Sequence, residues 1–496
     1  MTDLHDEADF VIVGTGAGGA TAARVLASAG HSVVMVEAGE RLAPEDRPPE
    51  LLDAMRLAVR DMCMQATDSR VPMPLLQGRA VGGSTAINSG IIWRMPEDVR
   101  EAWTRDFGLG PALEGLDDTF ALLERELSVA ETPADVLGGN NERMARGARE
   151  LGLSGRVIHR NVSGCKGAGR CLQGCPNGAR QSMDISYVPR ALADGARLHT
   201  GCRVTKVVRR GGRAVAVEGV RMSAPASGPR KKTGRFVVQA RRGVILAAGA
   251  IHSPALLMRS GVRGRALGRG FACHPGVAMV GRFDGPVQMG FGASQGYEIP
   301  RRERGYKLES LALPPEMLAA RIPGAGAAWQ ARLADLGSYA QWCGQIRMGA
   351  RGRVVTRFGS PRVRYEPTRR DLDVAKEVIV TLGRLMFAAG AKEVFPGVAG
   401  FDEILTDVRQ LDAIEQSSVP RAAMHLVASH LFGGACAGER GVVDEALQVR
   451  GLEGLYVMDA SVFPTNLGVN PQHSIMAVVH RAATRLANKK RVSRAA

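Results

Sequence analysis

Apolar positions along the chain fall into a few sharply periodic segments separated by irregular, glycine-rich ones. Phe10–Val13 is an unbroken apolar run. Gly14–Gly19 is a glycine-rich turn, Ala20–Ala29 places apolar residues at helical spacing, and Ser32–Glu37 (SVVMVE) is a second apolar run. Strand, turn, helix and strand within about thirty residues predict a βαβ unit. Glu101–Leu151 reads as helices, and Ala196–Val220 and Phe236–Ala248 read as short strands. Asp371–Ala389 reads as a helix, Leu455–Asp459 as one more strand, and Pro471 to about Asn488 as a final helix. Ile475, Val478, Val479, Ala482 and Leu486 give that last helix an apolar stripe, so it is expected to pack inward. Between these segments lie Leu42–Pro74, Gln77–Arg94, a Gly/Cys loop at Cys165–Arg180, and Val287–Val355, where periodicity is weak. There is no internal repeat.

Composition narrows the class. The 496 residues are 45% hydrophobic and 23% charged, which suits a globular protein of two or three domains. The formal charge is +16, but of 65 basic residues only nine are Lys, and they are scattered. Small clusters at Arg230–Lys232, Arg301–Arg304 and Lys489–Arg491 lack the aromatic interleaving of a nucleic-acid surface, so no nucleic-acid partner is expected. Met1–Phe10 is acidic, without a signal-peptide pattern. The longest apolar stretch, Val244–Met258, contains His252 and Pro254 and is too short to span a bilayer. A cytoplasmic protein with no transmembrane segment is expected, and its eight Cys do not form a disulfide scaffold.

Gly14, Gly16 and Gly19 form G-x-G-x-x-G between a strand and a helix. The first permits a tight turn, the second lets backbone approach a pyrophosphate, and the third lets helix and strand pack closely. The helix start offers N–H groups and a positive dipole end to phosphates. Glu37 closes the second strand, where a carboxylate can hold both hydroxyls of an adenosine ribose. FAD and NAD share this fingerprint.

Four further segments bear on that choice. Gly78–Asn88 (GRAVGGSTAIN), Val244–Pro254 (VILAAGAIHSP), Ser429–Gly434 (SHLFGG), and Asp459–Pro464 followed by Gly468–Pro471 (GVNP) resemble, in order, the signatures of the glucose–methanol–choline (GMC) oxidoreductases. The resemblance implies an α/β fold, α+β overall, in which a Rossmann-type FAD-binding domain is interleaved with a mixed-sheet substrate domain. The expected split is residues 1–280 with 440–496, including a lid and the Cys loop 160–182, against 281–439. It implies FAD as cofactor, contacted by Gly14, Gly16, Gly19, Glu37, Ala38, Arg79, Gly83, Ser84, Asn88, Val204, Ala248, Gly249, Asp459, Ala460, Pro471 and Gln472. Members that bind FAD covalently use a His just before the signature Asn; Ile87 stands there, so non-covalent binding is expected. His430 in S-H-x-x-G-G with Asn at 470 is similar to the branch of cholesterol-oxidase-like and long-chain-alcohol-oxidising members.

The resemblance implies oxidation of a CH–OH group by hydride transfer to flavin N5, with a small-molecule, apolar alcohol as substrate. His430 is the expected base, since an imidazole titrates near working pH. Asn470 is expected to bind the substrate oxygen and to cap the last helix, with Pro471 at its first position. His473 is a second candidate base, set against a role behind the site that does not touch the substrate. Of Cys165, Cys171 and Cys175 only the Cys171–Cys175 spacing fits zinc, no fourth ligand is evident and the C-x2-C of iron–sulfur runs is absent, so no metal is expected; the loop reads as structural or as part of substrate access, with a disulfide as the alternative. A non-redox enzyme on the same fold, a lyase or decarboxylase, is the alternative. The electron acceptor, oxygen or quinone, is left open.

Overall fold

The computed structural model describes residues 3–223 and 230–489. Residues 490 and 491 of the last basic cluster, and residues 1 and 2 of the acidic N-terminal stretch, lie outside them.

The glycine-rich turn at Gly14 follows the C-terminal end of an inner strand of a seven-stranded sheet. Its strands run in the order Arg197–His199, Val33–Val36, Leu4–Val13, Lys232–Leu246, Arg213–Met222 and Cys202–Arg210, and Leu455–Val457 also pairs with Lys232–Leu246. The pairings around Leu4–Val13 and Lys232–Leu246 are parallel, as a βαβ crossover requires. The hairpin strands Cys202–Arg210 and Arg213–Met222 add antiparallel ones. The first strand begins at Leu4, six residues before the apolar run. Its N-terminal half is charged and held by ion pairs, Asp6 with Arg197 at 3.0 Å and Glu7 with Arg241 at 2.6 Å, and this polarity hides it from an apolar-run reading.

The second sheet has nine strands. Ser360–Arg364, Gly352–Arg357, Arg269–Phe283, Tyr339–Ile346, Tyr306–Ser310, Tyr297–Arg301 and Arg156–Val157 follow one another, and Ala391–Phe395 and Val427–Phe432 pair with Arg269–Phe283 as well. All its pairings are antiparallel, so the mixed sheet is the N-terminal one and not, as expected, that of the substrate-side unit. Strand Arg269–Phe283 belongs wholly to this sheet and crosses the expected boundary at 280. Val287–Val355, weakly periodic in sequence, supplies three of its central strands. Periodicity fails there because Glu298, Lys307 and Glu309 are buried charges at sheet positions.

Helix Arg369–Ala388 packs on the second sheet and starts at a capping box, Thr368 with Asp371. The last helix, Gln472–Asn488, lies beside Ala17–Ser28, and Ile475, Val478, Val479, Ala482 and Leu486 are all buried. Among the described residues no helix is long and apolar enough to cross a membrane.

Candidate active site

A cavity of about 800 Å³ runs between the two sheets. Gly14–Gly18, Glu37 and Ala38 form one stretch of its wall; His430, Asn470 and Gln472 belong to another. Gly14 has φ +98°, and a Cβ on it would lie 2.4 Å from the carbonyl oxygen of Ala247, so only glycine fits. Gly16 precedes helix Ala17–Ser28, whose first-turn N–H groups have no partner four residues earlier. Gly19 does not line the cavity; a Cβ there would strike Gly14 O at 1.9 Å, so it serves close packing of helix on strand.

The carboxylate of Glu37 is held by three donors: Thr15 N at 3.0 Å and Thr15 Oγ1 at 2.8 Å on Oε2, and Gly39 N at 2.9 Å on Oε1. Thr15 Oγ1 in turn accepts from Gly82 N at 3.1 Å, which ties the first glycine turn to the second. A Cβ on Gly83 would lie 2.9 Å from Gly16 Cα, a separation that leaves room for backbone alone. Arg79, Gly83, Ser84, Asn88, Val204, Ala248, Gly249, Asp459 and Ala460 all line the same cavity. Asn88 Nδ2 donates to Gln472 Oε1 at 2.7 Å, joining residues 384 apart in the chain. Asp459 accepts from Gly249 N at 2.8 Å and from Ser253 Oγ, so its carboxylate serves the start of helix Gly249–Arg259.

Two of the three expected catalytic residues line this cavity, both beside Lys307. His430 lies on strand Val427–Phe432, directly across from His274 on Arg269–Phe283. The two rings are joined Nδ1 to Nδ1 at 3.3 Å, and Gly468 N donates to His274 Nε2 at 2.9 Å. Burial, with the Lys307 ammonium nearby, pushes the pKa of His430 down to about 3, so the ring is neutral at ordinary pH. Asn470 is 7% exposed, and its Oδ1 accepts from Lys307 Nζ.

Asn470 does not cap the last helix. Gln472 is the first helical residue, Pro471 occupies the cap position, and no side chain caps it, because the Asn470 amide is taken by Lys307. His473 also departs from expectation. It faces away from the cavity, with its ring 4.9 Å from that of Phe120 and Nε2 3.3 Å from Glu124, since one step along a helix turns a side chain about 100°.

The profile of the GMC oxidoreductases matches residues 8–276, and a second GMC oxidoreductase profile, for the C-terminal part, matches 355–478. An uncharacterised GMC-type oxidoreductase of Mycobacterium tuberculosis is 34% identical over 486 residues, covering 95% of this chain and 74% of the relative. The chain belongs to the GMC oxidoreductases. Another uncharacterised GMC-type relative, from Sinorhizobium fredii, is 34% identical and covers 97% of this chain and 95% of its own length. A long-chain-alcohol oxidase of Arabidopsis thaliana is 27% identical over 98% of this chain and 67% of that protein. The pyridoxine 4-oxidase structure matches the fold with a TM-score of 0.71 at 18% identity, over 96% of this chain and 98% of that one.

As a GMC oxidoreductase the chain is a flavoprotein, and the cavity suits FAD. Its wall holds a helix start and a ribose-side carboxylate, and two buried wall groups, His252 Nε2 and Gln472 Nε2, have no partner among the described residues. Arg60 and Arg230 add positive charge beside Glu37.

Of the residues missed by motif reading, Gln295 and Gln345 line the cavity, and Lys307, Glu298, Glu309 and Arg180 lie behind its wall. Lys307, 1% exposed, contacts Glu298 at 2.9 Å, Glu309 at 2.5 Å, and Asn470. Trp93 Nε1 also donates to Glu298, while Gln295 and Gln345 donate to Glu309. Arg180, also 1% exposed, donates to the carbonyls of Ala86, Asn88 and Cys171, clamping the Gly78–Asn88 loop against the Cys loop. All eight Cys are free, and among the described residues no group of His, Cys, Asp or Glu is placed to hold a metal. Leu172 of the Cys loop reaches the cavity wall.

Proposed function

We propose that this GMC oxidoreductase holds FAD without a covalent bond and oxidises the CH–OH group of an apolar alcohol. The observation that carries the reading is that His430 and Asn470, from two elements of the chain, both line the cavity that Gly14 and Glu37 line and both lie beside Lys307. When bound, FAD supplies the two-electron acceptor for hydride. Gly14–Gly18 and Glu37 would hold its adenosine diphosphate, and Asn88, Pro471 and Gln472 stand at the other end. Ile87, the residue before Asn88, has no side chain able to form a covalent link.

His430 and Asn470 would grip the hydroxyl oxygen and fix the direction of its C–H bond. Ile91, Leu172, Leu431 and Ile475 give the cavity apolar wall, which favours an alkyl body over a sugar. The likeness to a long-chain-alcohol oxidase agrees with that class. The division of labour between residues 1–280 with 440–496 and residues 281–439 belongs to the same proposal, adjusted for strand Arg269–Phe283.

Anaerobic mixing with 1-decanol tests it. The flavin absorbance should bleach, faster than with polar alcohols such as choline. In His430→Ala the flavin should stay bound but bleach at least about a hundredfold more slowly, the scale for losing one contact to the developing charge. A bound flavin that no alcohol reduces would defeat the reading.

A further inference from the structure

Two groups beside the reactive end can only donate hydrogen bonds, and they fix the polarity of everything they touch. The first is the Gly468 amide, which donates to His274 Nε2. That nitrogen therefore offers its lone pair, and a neutral His274 carries its proton on Nδ1. His274 is 2% exposed, and burial with the nearby His430, Arg347 and Lys307 holds its pKa well below the usual histidine range. Its Nδ1–H then points at His430 Nδ1, 3.3 Å away. His430 accepts there, so the neutral ring bears its own proton on Nε2, the nitrogen left for the cavity.

The second obligate donor is the ammonium of Lys307. It has no lone pair, so the atom of Asn470 it meets is the amide oxygen, and the amide cannot be turned the other way round. Nδ2 of Asn470 is left without a partner among the described residues, in a residue that lines the cavity. Lys307 is itself locked by Glu298 and Glu309, both 1% exposed or less.

We propose that His274 and Lys307 are positioning residues that turn His430 and Asn470 into a pair of N–H donors, so that the site grips its ligand through an oxygen that accepts, and binds oxyanions. This rests on the reading of residues 430 and 470 as the reacting end. It replaces the base role expected for His430, because the outward nitrogen already holds a proton. The substrate O–H proton then leaves for solvent as the C–H hydride leaves for the two-electron acceptor, and the pair freed at oxygen becomes the second C–O bond while the two N–H groups hold that oxygen.

Calorimetric titration of the FAD-bound protein at pH 7 with hexanoate and with hexylamine reads the donor pair without turnover. Hexanoate should bind and hexylamine, a cation without a lone pair to offer, should not. His430→Gln retains an N–H donor and should hold hexanoate within about threefold of wild type, whereas His430→Ala should lose at least about tenfold, as for a lost charge-assisted bond. His274→Phe should weaken hexanoate several-fold, and His274→Gln, which can accept from Gly468 and donate to His430, should restore it. Equal binding of the amine and the carboxylate, failure of hexanoate to bind, or a Gln variant as weak as the Ala variant would overturn the proposal. If instead hexanoate behaves as expected and no alcohol reduces the flavin, the donor pair stands and the alcohol reading falls.

Discussion

The two ends of the cavity are built from different materials. At the Glu37 end the wall is mainly backbone: Gly14, Gly16 and Gly83 bring main chain against main chain, and Thr15 stitches the two turns together. At the Asn470 end the wall is backed by buried side-chain charge, with Lys307, Glu298 and Glu309 each 1% exposed or less behind Asn470. Backbone sites tolerate almost no added atom but are indifferent to the chemistry of nearby side chains. Charged sites tolerate shape change but not the loss of one partner, since an unpaired buried charge costs more than the pair returns. The holding of a common cofactor and the orientation of a particular substrate are thus separated along one cavity.

Gly14→Val is the sharpest way to break the first end. A Cβ at 2.4 Å from Ala247 O, on a backbone at φ +98°, has nowhere to go, and the purified protein should carry no flavin absorbance. Lys307→Met breaks the second end. Removing the ammonium between Glu298 and Glu309 should cost about 3–5 kcal/mol in denaturant unfolding of the apoprotein. If the loss were no larger than that of an average surface substitution, the contrast between the two ends would be wrong.

Asn88→Ala tests the seam between them. It removes the 2.7 Å bond to Gln472 and should cost about 1 kcal/mol, with a weaker hold on flavin seen as faster cofactor loss on dilution. The smallest effect is a pH slope. His252, His274 and His430 are held neutral by burial, so below the ordinary histidine pKa the unfolded chain takes up protons that the folded one refuses. Stability should therefore fall as pH drops from 7 to 6, by about 0.7 kcal/mol for each such ring. His430→Gln should make the slope shallower by one ring's share.

The backbone end was legible in the sequence because its constraints are local. A glycine that must lie at positive φ between a strand and a helix is written as a glycine at a fixed spacing, and Gly14, Gly16 and Glu37 stand where that spacing puts them. The side-chain end was only half legible. His430 and Asn470 sit in short motifs, and both reach the cavity. Their partners do not announce themselves, because Lys307 and His274 act through cross-strand register and not through sequence neighbourhood. Charged residues at buried positions also erased the apolar alternation by which those strands would have been found. The misreading of His473 has the opposite cause: nearness in sequence to Asn470 suggested nearness in space, and the helix start between them turns the ring toward Phe120 and Glu124.

The central claim is that one FAD spans both ends, with its reactive ring beside residues 430 and 470. A crystal structure of the flavin-bound protein tests it most directly. The account predicts the diphosphate on the first turn of helix Ala17–Ser28 and the ring edge within about 4 Å of space that a substrate carbon could occupy next to His430 and Asn470. A flavin lying with its ring at the Glu37 end, or outside this cavity, would contradict it.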